Sequence, residues 1–123
     1  MRLARRLCRI AERLAKGEIT RPQFTTTWIG ATPDEQTLLL NLAKTEHLRW
    51  NASHEMLGYR YAPAPQNPTK EEKEAFKELR DRLLVHNCLT TWEELDETTQ
   101  SFDCAVADTS LKMYYKELQQ KSE

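Results

Sequence analysis

Four side chains that can stack on a flat ring or hydrogen-bond its edge recur at helical spacing in the middle of this sequence. They are His47, Trp50, Asn51 and His54. Steps of three and four residues place side chains on one face of an α-helix, so these four share a stripe. The indole offers a stacking face, and the imidazoles and the amide offer polar edges. The stripe therefore predicts recognition of a planar, polar small molecule.

The same stripe also has a purely structural interpretation. Trp50 lies at helical spacing among Leu39, Ala43 and Leu57, and a tryptophan in such surroundings usually belongs to the core. A buried histidine is usually there because it is hydrogen-bonded. The residue types and their spacing leave both interpretations open.

Metal binding and catalysis find less support in the sequence. His47 and His54 would lie about 10 Å apart along a helix, too far to share one zinc ion. Glu46 and His47 are neighbours on a helix and do not face each other, so they cannot act as an acid and base pair. His86 and Cys88 stand two residues apart, but nothing marks Cys88 as a thiolate. We therefore predict a protein that is not an enzyme and that needs no metal and no cofactor.

The elements that must position these residues are mainly helices. The chain has 123 residues, enough for one domain, with 39% hydrophobic and 30% charged residues and only three glycines. Such a composition argues against a sandwich or a barrel with many tight turns. We expect a mainly α fold: a single small helical domain with one long central helix, a further antiparallel helix pair and at most one or two short strands.

Start and stop signals place the helices along the chain. Capping boxes begin at Thr32, Thr69 and Thr91, and Gly17 and Gly58 are plausible stops. The predicted helices cover about residues 2–16, 33–57, 69–85, 92–95 and 96–119, with a break of the last one considered at residues 108–110. A loop or one short strand is expected over residues 18–31, and a proline-rich loop over residues 62–68.

Apolar periodicity predicts which helix faces are buried. Leu3, Leu7, Ile10 and Leu14 form the stripe of the first helix. The stripe predicted for the third helix consists of Phe76, Leu79, Leu83 and Leu84, and that of the last helix of Phe102, Val106, Leu111, Tyr114, Tyr115 and Leu118.

Charge divides the chain unevenly. Residues 1–30 carry seven Lys/Arg against two acids, and residues 31–123 carry eleven against seventeen. We therefore separate a basic amphipathic N-terminal helix and linker, residues 1–30, from a helical domain, residues 31–123. The basic helix is consistent with a nucleic-acid arm, a membrane-surface contact or docking on an acidic face of this protein, its parent protein or a homodimer partner, and we favour docking. No nucleic-acid motif follows it, and no apolar run approaches the roughly 20 residues of a membrane span. Three unpaired cysteines fit a cytoplasmic protein.

Four ordered motifs in the central part of the chain resemble the ryanodine-receptor repeat domain. That family reads His-x-x-Trp, Gly-Trp-x-Tyr-Gly, His-Pro-x-Leu and aromatic-x-x-Leu. The matching runs here are Glu46-His47-Leu48-Arg49-Trp50-Asn51, Gly58-Tyr59-Arg60-Tyr61, His86-Asn87-Cys88-Leu89 and Trp92-Glu93-Glu94-Leu95. The departures are Tyr59 for Trp, Ala62 for Gly, Asn87 for Pro and His54 for Lys. The resemblance covers about residues 34–115 and is closest to the single-copy form of prokaryotic and phage proteins.

The resemblance implies a non-catalytic ligand-sensing or regulatory module that binds a nucleotide-derived small molecule. The implied ligand-binding residues are His47, Trp50, Asn51, His54, Tyr59, Arg60, Tyr61, His86 and Trp92. In this arrangement Trp50, Tyr59 or Trp92 would stack on the ligand. Arg49 or Arg60 would hold a phosphate. The alternative is a structural protein–protein interaction or oligomerisation module with no small-molecule ligand. In that case the basic helix makes the functional contact.

Overall fold

The computed structural model describes residues 2–121 and is mainly helical, as the sequence predicts. In this part of the chain the elements are the helices α1 (Leu3–Ala15), α2 (Pro33–Met56), α3 (Lys70–Leu83) and α4 (Glu97–Lys121), the strands β1 (Arg60–Tyr61) and β2 (Val85–His86), and a single 3-10 turn at Trp92–Glu94. The antiparallel arrangement of a helix pair stays a prediction. No helix within residues 2–121 has the length and apolar character needed to cross a bilayer.

The described residues form two compact units. Unit 1 consists of residues 2–46 with residues 96–121, and unit 2 consists of residues 47–95. The boundaries fall within α2 and immediately before α4. The division into residues 1–30 and 31–123 is a different partition and stays a prediction, and residues 1, 122 and 123 of those regions lie outside the described residues.

Unit 1 has an apolar core in which α1 packs against α4. Both ends of the chain and the first part of α2 contribute to this core. Its buried side chains are Ile10, Ala11, Leu14, Ile19, Trp28, Leu39, Ala43, Cys104, Ala107 and Leu111. The predicted stripe of α1 is thus buried at Ile10 and Leu14, whereas Leu3 is exposed. Leu3 is the first residue of α1, and the buried residues of the helix, Ile10, Ala11 and Leu14, all lie in its second half.

The buried face of α4 differs from the prediction. The helix runs unbroken through residues 108–110, and it buries Ser101, Cys104, Ala107 and Leu111. Of the six predicted positions, only Leu111 is buried and Tyr115 half-buried; Phe102, Val106, Tyr114 and Leu118 are exposed. Small side chains let two helix backbones approach closely, so the face with serine, cysteine and alanine lies inward. Selecting the largest apolar residues was therefore wrong for this helix.

The predicted buried face of α3 is also wrong. None of the residues of α3 is buried: Phe76 and Leu79 are half-buried, while Leu83 is 59% exposed and Leu84 is 40% exposed. Leu84 takes a left-handed conformation, with a φ of 54°, and ends the helix there. The chain then continues into β2. Leu83 is therefore the last residue of α3 and Leu84 lies beyond it, so the two do not continue a buried face with Phe76 and Leu79.

A two-stranded parallel sheet joins distant parts of unit 2. Gly58 ends α2 with a φ of +96°, a conformation that L side chains rarely adopt. β1 follows at once and pairs with β2, placing Tyr61 opposite His86. The Thr69 capping box starts α3 as predicted, with Glu72 as its reciprocal partner. The sheet thereby connects the end of α2 to the end of α3.

Candidate functional site

A series of ring contacts runs through unit 2 and includes six of the seven predicted ring residues, all but Tyr61. Trp50 lies at its centre and stacks on His54 with 3.9 Å between ring centroids. Two T-shaped contacts follow: His86 with Trp50, at 4.8 Å between ring centroids, and Tyr59 with His54, at 5.2 Å. His47 continues the series toward Trp92: its ring centroid lies 6.1 Å from that of Trp50 and 6.4 Å from that of Trp92. We call this set the ring array: His47, Trp50, His54, Tyr59, His86 and Trp92.

At one end of the ring array two polar side chains hold a loop. The backbone carbonyl of Thr90 accepts a hydrogen bond from His47 Nε2 at 2.7 Å and another from Asn51 Nδ2 at 3.0 Å. Because a carbonyl can only accept, the proton of His47 must be on Nε2. His47 is 3% exposed. His47 and Asn51 therefore fix the loop before the 3-10 turn, which is the structural interpretation of these two residues.

At the other end, His86 faces two hydrogen-bond donors. The backbone N–H of Cys88 donates to His86 Nδ1 at 3.0 Å, and Arg80 Nη1 lies 3.2 Å from His86 Nε2. A neutral imidazole has one acceptor nitrogen, so it cannot satisfy both donors. Burial, then the charge of Arg80 and the neighbouring His54, lower the pKa of His86 to about 4. The ring is therefore neutral near pH 7, and Cys88 and Arg80 compete for its single acceptor.

A cleft of about 230 Å³ opens beside this histidine. We call it the cationic cleft, and it is lined by His54, Tyr59, Lys77, Arg80, Asp81 and His86. The Tyr59 hydroxyl donates to Asp81 Oδ1 at 3.2 Å. Partial burial and this carboxylate raise the pKa of Tyr59. Two cations and one carboxylate give the cleft a net positive lining at neutral pH.

A second cleft, of about 300 Å³, shares Tyr59 with the first. We call it the tyrosine cleft, and it is lined by Glu55, Tyr59, Arg60, Tyr61 and Leu89. Arg60 Nη1 donates to the backbone carbonyl of Tyr59 at 2.8 Å, which orients the guanidinium along the chain. Tyr61 is 54% exposed, so part of its ring is accessible. Tyr59 thus lines both clefts: one pairs an acid and a base with two tyrosines and a leucine, and the other has an excess of positive charge.

The predicted site residues divide into three groups. His54, Tyr59 and His86 line the cationic cleft, and Tyr59, Arg60 and Tyr61 line the tyrosine cleft. Trp50 supports His54 and His86 from within the ring array, as His47, Asn51 and Trp92 support the loop end. The sequence interpretation did not include Lys77, Arg80 and Asp81 among the candidate site residues. Their spacing of three and four residues placed them on one side of α3 and could have pointed to a shared site.

The arginines of α1 have acidic neighbours within unit 1. Arg13 donates to Glu35, and Arg6 approaches Asp34 at 3.9 Å. Burial alone would raise the pKa of Glu35, but the hydrogen bonds from Arg13 and Thr32 hold it below its usual value. Part of the basic charge that the sequence assigned to a partner is therefore matched inside the same chain.

The described residues provide no set of ligands for a metal ion. No group of three or more His, Cys, Asp or Glu side chains within residues 2–121 is placed to hold an ion. Cys104 is fully buried, and burial raises the pKa of its thiol to about 12, so it behaves as a small apolar core residue.

Comparison with known proteins adds no relative: no family model, no curated protein and no solved structure matched the chain. The geometry of unit 2 and the sequence resemblance are thus the basis for a functional proposal.

Proposed function

We propose that this protein is a non-catalytic ligand-sensing module of the ryanodine-receptor repeat type, and that unit 2 binds a nucleotide-derived small molecule. The observation that carries the proposal is that Tyr59 lines two clefts of different charge. The tyrosine cleft offers two aromatic rings and Leu89 beside one acid and one base, and the cationic cleft offers an excess of positive charge. A ligand with a planar ring and a charged tail has this same division.

The tyrosine cleft is the part of the site suited to the planar ring. Tyr59, Tyr61 and Leu89 supply its aromatic and apolar surface. Stacking of a base on an aromatic side chain contributes about 1–3 kcal/mol. Glu55 and Arg60 add an acceptor and a donor that can hydrogen-bond ring edges.

Trp50 acts as a positioning residue in this proposal. Its indole contacts both His54 and His86, the two histidines of the cationic cleft. A rigid aromatic support keeps cleft side chains in one geometry and so lowers the entropy cost of binding. This role differs from direct stacking of Trp50 on the ligand, which the sequence resemblance implies.

The proposal is tested by a thermal-shift screen against ATP, ADP-ribose and cyclic dinucleotides. A ligand specific for the folded state stabilises it by about 2.7 kcal/mol at 100 times its dissociation constant, so the melting temperature should rise by several degrees. Tyr61→Ala should abolish the shift. Tyr114→Ala is the matched control because Tyr114 is a similarly exposed tyrosine of unit 1.

A rise that is equal in wild type and both variants would contradict this site. Absence of any shift over the panel would contradict the ligand-sensing function. It would favour the interaction module, whose contact would use the exposed Arg2, Arg5 and Arg9 of the N-terminal region.

A further inference from the structure

We propose that the cationic cleft is an oxyanion subsite in which Arg80 and Lys77 bind a phosphate group of the ligand. This inference rests on the proposed function, since it assigns one part of that ligand to one part of unit 2. The subsite differs from the sequence-based expectation, which gave the phosphate to Arg49 or Arg60. The two cations come instead from α3, a helix outside the motifs that carry the resemblance.

Arg80 is the residue of the cleft best suited to bind an anion, because one of its N–H groups lacks a matching acceptor. Its Nη1 points at His86 Nε2, but the Cys88 backbone N–H already donates to the other nitrogen of that ring. A neutral imidazole cannot accept at both nitrogens, and a protonated one would repel the guanidinium. Within residues 2–121 no carboxylate lies at ion-pair distance from Arg80. A phosphate oxygen would supply the acceptor that the histidine cannot.

The side chain of Arg80 is also held in place before any ligand arrives. Its guanidinium lies over the ring of Phe76, with Cζ 5.6 Å from the ring centroid. Stacking on an aromatic face restricts the guanidinium plane while leaving its N–H edge available for bidentate contacts. Arg80 is half-buried, so an anion bound there would be partly shielded from water.

Lys77 supplies a second positive charge on the same side of α3. It precedes Arg80 by three residues, which places both on one face of the helix, and it lines the same cleft. The single carboxylate of the cleft, Asp81, accepts a hydrogen bond from Tyr59. That bond connects the carboxylate to the residue shared by the two clefts. The charges of Lys77 and Arg80 together exceed that of Asp81 by one, and this excess positive charge can attract a phosphate.

Tyr59 joins the subsite to the rest of the proposed binding site. Arg60 binds the Tyr59 carbonyl and lines the tyrosine cleft, where we place the planar ring. A nucleotide with its base beside Tyr61 and its phosphate beside Arg80 would therefore pass over Tyr59. The chemical class that this arrangement selects is a nucleoside phosphate, and the shared chemistry of the subsite extends to free pyrophosphate.

The experiment compares three probes, namely adenosine, ADP and inorganic pyrophosphate, by isothermal titration calorimetry with the full chain. Arg80→Gln and Lys77→Gln remove one charge each from the cleft. Arg82→Gln removes the same charge from the same helix, two residues further on, and serves as the matched control. Circular dichroism and the melting temperature establish that each variant is folded. Lys77 is exposed, so Lys77→Gln tests the subsite even if Arg80→Gln weakens packing against Phe76.

We expect wild type and Arg82→Gln to bind ADP and pyrophosphate, and Arg80→Gln to bind both about tenfold or more weakly, as loss of a charge-assisted hydrogen bond predicts. Lys77→Gln should weaken the binding of ADP and pyrophosphate by a smaller factor than Arg80→Gln. Adenosine binding should be equal in all four proteins. Equal losses of affinity for ADP and pyrophosphate in Arg80→Gln and Arg82→Gln would overturn the subsite. It would also be overturned if the wild type bound no pyrophosphate and bound ADP no more tightly than adenosine.

These outcomes separate the two proposals. Binding of pyrophosphate that depends on Arg80, without binding of any nucleoside or nucleotide, would keep the subsite and contradict the nucleotide-sensing function. Equal binding of ADP and adenosine by all four proteins would keep the function and overturn the subsite.

Discussion

Units 1 and 2 are stabilised by different kinds of contact. Of the twelve buried apolar residues in the described chain, ten belong to unit 1 and only Leu89 and Leu95 belong to unit 2. Unit 1 also has an internal ion pair, in which Arg21 Nε donates to Asp108 Oδ2 at 2.9 Å, while the Trp28 indole donates to the other oxygen. Unit 2 depends instead on rings that contact one another and on two hydrogen bonds to Thr90.

The smaller apolar core of unit 2 makes it the unit that can more easily accommodate a binding site. Burial of apolar surface contributes about 25 cal/mol per Å², so a region with few buried apolar side chains has little free energy with which to resist opening. Binding regions commonly belong to the less stable parts of a fold. The candidate site lies in unit 2, and unit 1 supplies most of the apolar core. Substitutions in the two units should therefore differ in size and in extent.

The largest effect is expected for Leu39→Ala in unit 1. Leu39 is 0% exposed, and truncation of a buried leucine costs about 2–5 kcal/mol because it removes apolar burial and leaves a cavity. Urea unfolding followed by circular dichroism measures the free energy of unfolding. Leu48→Ala is the control: the same substitution in the same helix at a residue that is 68% exposed, with an expected change within about 0.5 kcal/mol. Equal losses in the two variants would contradict the assignment of the core.

Trp50→Leu should have a smaller and more local effect. It removes the stacked contact with His54 and the edge contact with His86, at an expected cost of about 1–3 kcal/mol. Hydrogen exchange should show faster opening within residues 47–95 and unchanged protection in residues 2–46 and 96–121. Phe102→Leu, at an exposed aromatic of α4, is the control that should change neither region. Faster exchange throughout the chain after Trp50→Leu would show that the two units do not open independently.

The helices were predictable because their signals are local. The reciprocal bonds of the Thr32 and Thr69 capping boxes are present, and Gly17 and Gly58 take positive φ values after α1 and α2. Each of these signals depends on residues within one turn of the chain. The 3-10 turn at Trp92 was also placed correctly, although Thr91 Oγ1 donates to the Glu94 carboxylate and makes no side-chain cap to the backbone.

The faces of the helices and the clefts were harder to predict because they depend on distant residues. On α4 the small residue Ala107 is buried and the large Phe102 is exposed, an outcome set by the close approach of α1. The pairing of Tyr61 with His86 spans 25 positions of the chain, and no local signal specifies it. His47, Trp50 and His54 could be selected from their types and spacing, whereas His86 and Trp92 were selected from the motifs that carry the family resemblance. The spacing of Lys77 and Arg80 shows that they share a face of α3, but no local signal shows that a cleft lies beside that face.

The smallest effect is the pH dependence that His86 should give to unit 2. Its pKa is about 4 in the folded protein against 6.5 ordinarily, so between these values the unfolded chain takes up a proton that the folded chain does not. The free energy of unfolding should therefore fall as the pH decreases from 6.5 toward 4, by less than the full shift implies because the ring is partly exposed. The acids Glu35 and Asp96, whose pKa values are lowered, lose their contribution only at still lower pH, so melting temperatures between pH 7 and pH 5 isolate the histidine effect. His86→Asn removes the titrating group and keeps an acceptor for the Cys88 N–H, and it should flatten this part of the profile. A slope unchanged by that substitution would show that another group controls the pH response of unit 2.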